Sequence, residues 1–498
     1  MRDYEFYYTQ DGSIGLYSYA DDDVYHSKFG ALTEAWDKFI LPSGLDKLLN
    51  KQDQIRVLDV CYGIGYNTKA LMSYIINSNE NILKLKNKKI FYKKIKKFLP
   101  KIFQKKFEIK YNIESSDTNK NFTQNNKILS PSIDSISGDN IGVISDNHIT
   151  QNYDENFLSE IKIDCLEINE ELVKISPLLK TVITPQEVFS RIIPHCFDCF
   201  ESYWKIKKFL AKFALFFAPK NKKNITELLD LKFNNDYDIL EKNFRIHKFV
   251  NYMLINNLVD KYGEKYLDKN LKEILRERKN GRFYDRPMIN YAKFRQNKGY
   301  KLLSKFNLGA FLHNIYYDHL SNRYKKTHFK DIESMFKLSF YVNDARKSIL
   351  DISGQYDLIF LDAFTFSKAP ELWSVEFMAE LYRRLAPTGI LMTYSNSALV
   401  RNTFLENNFF IGKIIDDKTG KTIGTVAAKE KSMIEHPLSN YEMGLCSTRA
   451  GIPYHDYSLN SERDVILKRR EQDFKSSDLM TSSQYMRSRG LNNGENNA

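Results

Sequence analysis

Tyr356-Asp-Leu-Ile-Phe-Leu361 is a near-continuous apolar run of strand length, and it ends at Asp362. A strand this short and this apolar is covered on both faces, as in a parallel sheet sandwiched between helices. A second stretch carries the same message. Ile55-Arg-Val-Leu-Asp-Val60 reads as a buried strand, a turn with Gly63 and Gly65 follows, and Thr68 to Ile76 has a helical pattern. Strand, glycine turn and helix open a doubly wound α/β domain. The rhythm returns in Ile161 to Glu167, a strand ending in an acid, and in Leu338 to Val342, a strand followed by Asn343-Asp344-Ala345 and a short helix. It continues with a helix from Ser374 to Leu385, a Pro387-Thr388-Gly389 turn, a strand from Ile390 to Tyr394 and a helix from Ala398 to Asn408.

Two long segments interrupt this rhythm. Lys84 to Lys110 holds twelve lysines and one acid, Glu108, and so supplies +11 of the formal net charge of +12. Such a block points to nucleic acid or another acidic surface, although a chain this rich in Lys, Asn and Ile also produces one by composition alone. Ser115 to Glu155 is rich in Ser, Asn and Asp and is expected to be a disordered loop. Residues 186–335 are aromatic and Lys-rich, with helical patterns over Phe189 to Phe217, Phe244 to Leu258 and Leu302 to Tyr324, and are expected to be a helical insertion. The division expected is an N-terminal substrate-side segment at 1–54 and a core made of 55–77, 161–185 and 336–430. Insertions at 78–160 and 186–335 interrupt that core, and a C-terminal extension with a loose polar tail fills 431–498.

Composition removes other classes. A hydrophobic share of 42% excludes wholesale disorder, and 21 Gly with 12 Pro exclude collagen-like and Pro-rich chains. No apolar run approaches the ~18 residues a membrane helix needs, so no membrane partner is expected. Met1 to Gln10 has no apolar signal core. Five cysteines argue against a disulfide framework and fit a reducing, cytoplasmic location. Cys196-Phe-Asp-Cys199 beside His195 falls short of the about four ligands of a zinc site, so no metal is expected.

The chemistry lies at the strand ends. Asp59, Glu167 and Asp362 close successive strands, and Asp344 follows another, where open parallel sheets bind ligands. Any one of these acids alone is explained as a helix cap or a solvated turn. The turn Asp59-Val-Cys-Tyr-Gly63-Ile-Gly65-Tyr-Asn67 is not the pyrophosphate-cradling G-x-G-x-x-G. A nucleoside without phosphates fits better, and S-adenosylmethionine is the ligand expected. Glu167 would accept both ribose hydroxyls, and Asp59, Gly63, Gly65, Asn67, Asp344 and Ala345 are the other candidate cofactor contacts. Gly65 and Glu167 are 102 residues apart, and removing roughly 78–160 restores the spacing of about 20 found in nucleotide sites.

Asp362-Ala-Phe-Thr-Phe-Ser-Lys368-Ala-Pro370-Glu-Leu-Trp373, with the strand before it, resembles the signature of the MnmC-like methyltransferase domain family. Val57 to Asn67 resembles the family's cofactor turn. Asp11-Gly12-Ser13, Leu16-Tyr17-Ser18 and Tyr25 to Glu34 resemble its N-terminal segment. Gly424 to Ala428 and Gly451 to Tyr454 resemble its C-terminal part. The resemblance implies a doubly wound, Rossmann-like class I S-adenosylmethionine-dependent methyltransferase, here with two large insertions that the family core does not explain. It implies methylation of the amine of 5-aminomethyl-(2-thio)uridine at the tRNA wobble position. Asp362 would orient that amine, while His26, Ser27, Glu34, Lys368 and Trp373 would meet the substrate. No second nucleotide-binding turn follows, so the stand-alone form without an FAD-dependent oxidase is expected, and other enzymes would install the aminomethyl group. A methyltransferase or aminopropyltransferase for another amine or nucleic acid stays open, as does an RNA-binding protein with a decayed cofactor site.

Overall fold

The computed structural model describes residues 4–20, 22–49, 52–76, 160–181, 237–276, 283–296, 334–417 and 419–489. The lysine block, the Ser/Asn-rich loop, the Cys196–Cys199 pair and the helices expected at 189–217 and 302–324 lie outside these residues. The chain divides into two units, Met1–Ser73 with His148–Ala498, and Tyr74–Asn147. Both β-sheets belong to the first.

Seven strands make the main sheet: β4 (Gln54–Val60), β5 (Glu160–Glu167), β6 (Phe336–Val342), β7 (Tyr356–Leu361), β8 (Leu385–Thr393), β9 (Phe410–Ile415) and β10 (Thr422–Ala428). Their order is β6-β5-β4-β7-β8-β10-β9, and only β10 runs against its neighbours. Central β4 and β7 are buried almost throughout, as the apolar runs require. The chain builds outward from β4 to β6 and then restarts on the other side at β7. The switch point for ligands therefore lies between β4 and β7. The registers bring the strand ends level: Val60 pairs with both Leu166 and Leu361. Cys61, Glu167 and Asp362, each one residue on from these partners, share one rim.

A smaller antiparallel sheet comes first: β1 (Tyr4–Tyr8), β2 (Ile14–Ser18) and β3 (Asp23–Val24). Phe6 on β1 is buried against Phe283 and Tyr284, with ring centroids 5.7 and 5.9 Å away. The helix expected at Phe244 to Leu258 is present as Tyr237–Tyr262 and covers the edge strand β6. Asn257 Nδ2 donates to Leu338 O at 3.2 Å, and Lys261 Nζ donates to Phe340 O. Four residues of helix rise about 6 Å and two of strand about 6.6 Å, so consecutive outward carbonyls of β6 meet consecutive helix turns. An edge that could pair with another chain is blunted this way.

Two expectations change. Pro387-Thr388-Gly389 is not a turn before a strand but an irregularity within β8, where pairing with β7 skips from Tyr356↔Leu385 to Leu358↔Ile390. A Cβ on Gly389 would stand 2.7 Å from Tyr356 O, so the close approach requires glycine. Nor is the start of the polar tail loose. Helix Arg463–Ser476 is followed by Ser482–Ser488, which begins with a Thr481–Gln484 capping box and buries Tyr485. Among the described residues no helix is long and apolar enough to cross a membrane.

Replacing both Asn257 and Lys261 with alanine should cost about 1–3 kcal/mol in total. The measurement is a lower denaturant midpoint at unchanged slope; an unchanged midpoint would mean that water caps the β6 carbonyls equally well.

Candidate active site

β4 ends in a turn that the glycines make possible. Gly63 and Gly65 have φ of +55° and +80°, a region open to glycine at no steric cost. Cys61 also sits there, at φ +68°, a strain of about 1 kcal/mol for a side-chain-bearing residue. Burial pushes the Cys61 thiol well above its usual range, and the carboxylates of Glu167 and Asp362 push it the same way. This geometry aims the Gly63 N–H at Glu167, whose Oε2 accepts it at 2.7 Å. Glu167 Oε1 accepts from Asn169 N at 2.9 Å. The Ile168 N–H also points at this carboxylate, so backbone donors from both strand ends hold it. Burial raises the Glu167 carboxyl above its ordinary value, against the pull of these backbone bonds. Asn169 then caps helix Glu170–Ile175 through its side chain.

Above this rim lies a cavity of about 580 Å³, within the range of small-molecule sites. Glu167, Asp344, Ala345 and Asp362 line it, as do His26, Ser27, Glu34 and Lys368. Asp362 is half-buried. Its Oδ2 accepts from Asn67 Nδ2 at 3.0 Å, and burial lifts its carboxyl to about 7 despite that bond. Asn67 therefore holds an acid rather than facing the cavity. Asp59 lies beneath the wall, as do Gly63 and Gly65. Thr68 Oγ1 donates to Asp59 Oδ2 at 2.6 Å, Oδ1 has no partner among the described residues, and burial raises the carboxyl to about 6.

The N-terminal segment closes the cavity. His26 is half-buried, and loss of water around its ring lowers it to about 4, so its imidazole is neutral at neutral pH; its buried Nε2 has no partner among the described residues. Burial pushes Glu34 upward, yet Lys38 at 3.0 Å and the Ser27 N–H at 3.2 Å hold it below its ordinary value. Lys368 reaches Asp22 at 3.9 Å. Trp373 does not line the cavity. It is fully buried, and its Nε1 donates to Phe364 O at 2.8 Å, so it anchors the loop after Asp362 from the core.

Several lining residues escaped the sequence reading. Tyr394 stands one residue beyond β8, as Asp362 stands beyond β7, and the same strand-end rule would have found it. Ile168 is 72% exposed beside Glu167, an apolar face against which a flat ring can pack. Tyr4, Tyr25 and Lys38 carry no local signal. The small sheet and the helix after it deliver them, with Tyr25 edge-on to Phe364 at 4.7 Å and Asn169 Nδ2 donating to Tyr4 OH at 2.6 Å.

Six acids and three Lys or Arg side chains line the cavity, which suits a cationic ligand. A carboxylate fixed by backbone N–H groups at the cavity wall suits a ribose diol, and the apolar Ile168 beside it suits the base. The donor set thus fits an adenosyl sulfonium.

Comparison with known proteins agrees. Residues 307–430 match the model of a family described as S-adenosyl-L-methionine-dependent methyltransferase. This match gives the chain a methyltransferase domain of that class, with S-adenosylmethionine as its cofactor, and the seven-stranded fold is consistent with it. The domain is related to the MnmC-type methyltransferase domain. The tRNA 5-methylaminomethyl-2-thiouridine biosynthesis bifunctional protein MnmC of Pseudomonas fluorescens is 38% identical over 64 residues, 13% of this chain and 10% of that protein. An uncharacterised protein of Methanocaldococcus jannaschii is 28% identical over 137 residues, 27% of this chain and 38% of that one. The chain thus spans well under half the length of these relatives. The crystal structure of MNMC2 from Aquifex aeolicus aligns over 95% of this chain and 86% of its own, at 17% identity and a TM-score of 0.45.

Glu167→Ala should weaken S-adenosylmethionine binding roughly ten- to a hundredfold, since charge-assisted hydrogen bonds contribute about 1.5–3 kcal/mol. Calorimetric titration checks this, and wild-type affinity in the variant would remove Glu167 from the ribose.

Proposed function

We propose that this protein methylates the primary amine of 5-aminomethyl-(2-thio)uridine at the wobble position of tRNA. The observation that carries the reading is Asp362: a half-buried carboxyl on the cavity wall, held by Asn67 and raised to about 7. Similarity to MnmC-named proteins, whose name specifies tRNA 5-methylaminomethyl-2-thiouridine biosynthesis, supports the choice of substrate.

When bound, the cofactor supplies an activated methyl on a sulfonium. Glu167 would hold the ribose, Asp344 and Ala345 would flank the base, and Asp59 would lie beneath the methionine end with Gly63, Gly65 and Asn67. The substrate amine must be neutral to attack, because an ammonium has no lone pair. Asp362 would orient that nitrogen in line with the methyl, a positioning effect first of all. As the N–C bond forms and the C–S bond breaks, the nitrogen gains positive charge and must shed a proton, which Asp362 can take. A carboxyl near 7 is poised for that step, whereas an ordinary Asp would be a weaker base. Neutral His26 with Ser27 and Glu34 would close the substrate side, and Lys368 would meet the tRNA backbone. Other enzymes must install the aminomethyl group on the tRNA beforehand.

Purified protein with labelled S-adenosylmethionine should label tRNA that carries wobble 5-aminomethyluridine and leave tRNA with unmodified uridine unlabelled. Equal labelling of both would refute the substrate.

Asp362→Asn should lower turnover by about 10²-fold or more while cofactor affinity stays near wild type. In the wild type, kcat/KM should rise with pH through about 7 as Asp362 ionises. The variant should lose that limb and keep only a higher one from the amine. A variant profile that matches wild type would assign the limb to another group.

A further inference from the structure

Asp344 is not a free acid at the cavity wall. It caps helix Ala345–Asp351, its Oδ1 accepting Arg346 N at 2.9 Å. The Arg346 guanidinium then grips the same carboxylate: Nε lies 3.1 Å from both oxygens, and Nη2 lies 2.6 Å from Oδ2. The remaining nitrogen of that fork reaches across the molecule. Arg346 Nη1 donates to Asp456 Oδ2 at 2.8 Å and to Ser461 O at 2.9 Å. Asp456 is fully buried, and its Oδ1 accepts Ser461 N at 2.9 Å and Asn460 N at 3.2 Å. Its own N–H donates to Glu376 Oε2 at 2.6 Å. Both Asp456 oxygens are thus engaged. Asp456 lies 110 residues from Arg346 and beyond residue 430, where the family match ends.

We propose that Asp456 is a positioning residue for the cofactor's base, acting through Arg346 on Asp344. The inference rests on the cofactor reading and not on the tRNA reading. A buried ion pair adds little net stability, because desolvation offsets the attraction. What it does supply is direction. A planar guanidinium shared by two carboxylates has one orientation that satisfies both. Two acids and one arginine leave one negative charge uncompensated, and of the two acids only Asp344 reaches the cavity. With the ribose at Glu167 on β5, the base lies toward β6, whose end carries Asp344. The exocyclic amine of adenine is the donor that such an acceptor selects.

The test compares the ligand S-adenosylhomocysteine with its 6-oxo counterpart S-inosylhomocysteine, which has an acceptor in place of that amine. Wild-type protein should bind the adenine ligand more tightly in calorimetry. Asp456→Asn, which keeps shape but removes the charge and turns one of the two acceptor oxygens into a donor, should weaken the adenine ligand five- to tenfold and leave the inosine ligand within twofold. Arg346→Lys, which keeps charge and loses the fork, should show the same selective loss. In an Asp344→Asn background, Asp456→Asn should have no further effect. Equal weakening of both ligands, or full retention of both, overturns the inference; so would a thermal midpoint that falls with no change in selectivity. A wild-type protein that binds neither ligand would instead overturn the cofactor reading.

Discussion

The pairing of β4 between β5 and β7 is the constraint on which the rest of the structure depends. Parallel strands in level register end together, so Cys61, Glu167 and Asp362 meet on one rim although up to 301 residues separate them. Gly63 N–H to Glu167 Oε2 closes that rim across two strands. The bond needs Gly63 in the left-handed region and needs β5 at full length. The turn and the acid are therefore one device.

Burial gives this device its chemistry. Asp59, Glu167 and Asp362 are all raised above ordinary carboxylate values, with loss of water as the leading cause. Raised carboxyls mean that the fold binds more protons than the unfolded chain. For Asp59 and Asp362 the stability contribution falls as pH rises from about 4 to between about 6 and 7. A cationic ligand reverses that penalty. An acid-rich wall is thus a cost to the empty fold and a source of affinity for a sulfonium or an amine.

The segments outside the central sheet support the site rather than decorate it. The small sheet carries Tyr4 and leads to Tyr25 and His26 over the cavity. Helix Tyr237–Tyr262 seals the β6 edge through Asn257 and Lys261. The C-terminal stretch holds Arg346 through Asp456, and Arg463 Nη2 donates to Ser367 O at 3.0 Å in the loop after Asp362. Both flanks of the cavity are therefore braced by chain beyond the family match.

Local pattern determined the α/β class, the buried strands and the acids at their ends, because apolar periodicity and strand length are properties of neighbouring residues. The same pattern marked the Gly63–Gly65 turn, since only glycine enters that backbone region freely. Strand order was not legible, nor was the reversed β10, because hydrogen bonds between strands join residues far apart in sequence. Trp373 reads equally as a substrate contact and as a core residue, and only packing decides, burying it with its indole bonded to Phe364. Asn67 reads as a ligand contact, and only the fold turns it toward Asp362. The sequence by itself thus determined which residue types stand at the rim. The tertiary structure alone decided which of them face the cavity, which hold one another, and how far burial moves their protons, since each of these depends on what surrounds a side chain and not on what precedes it.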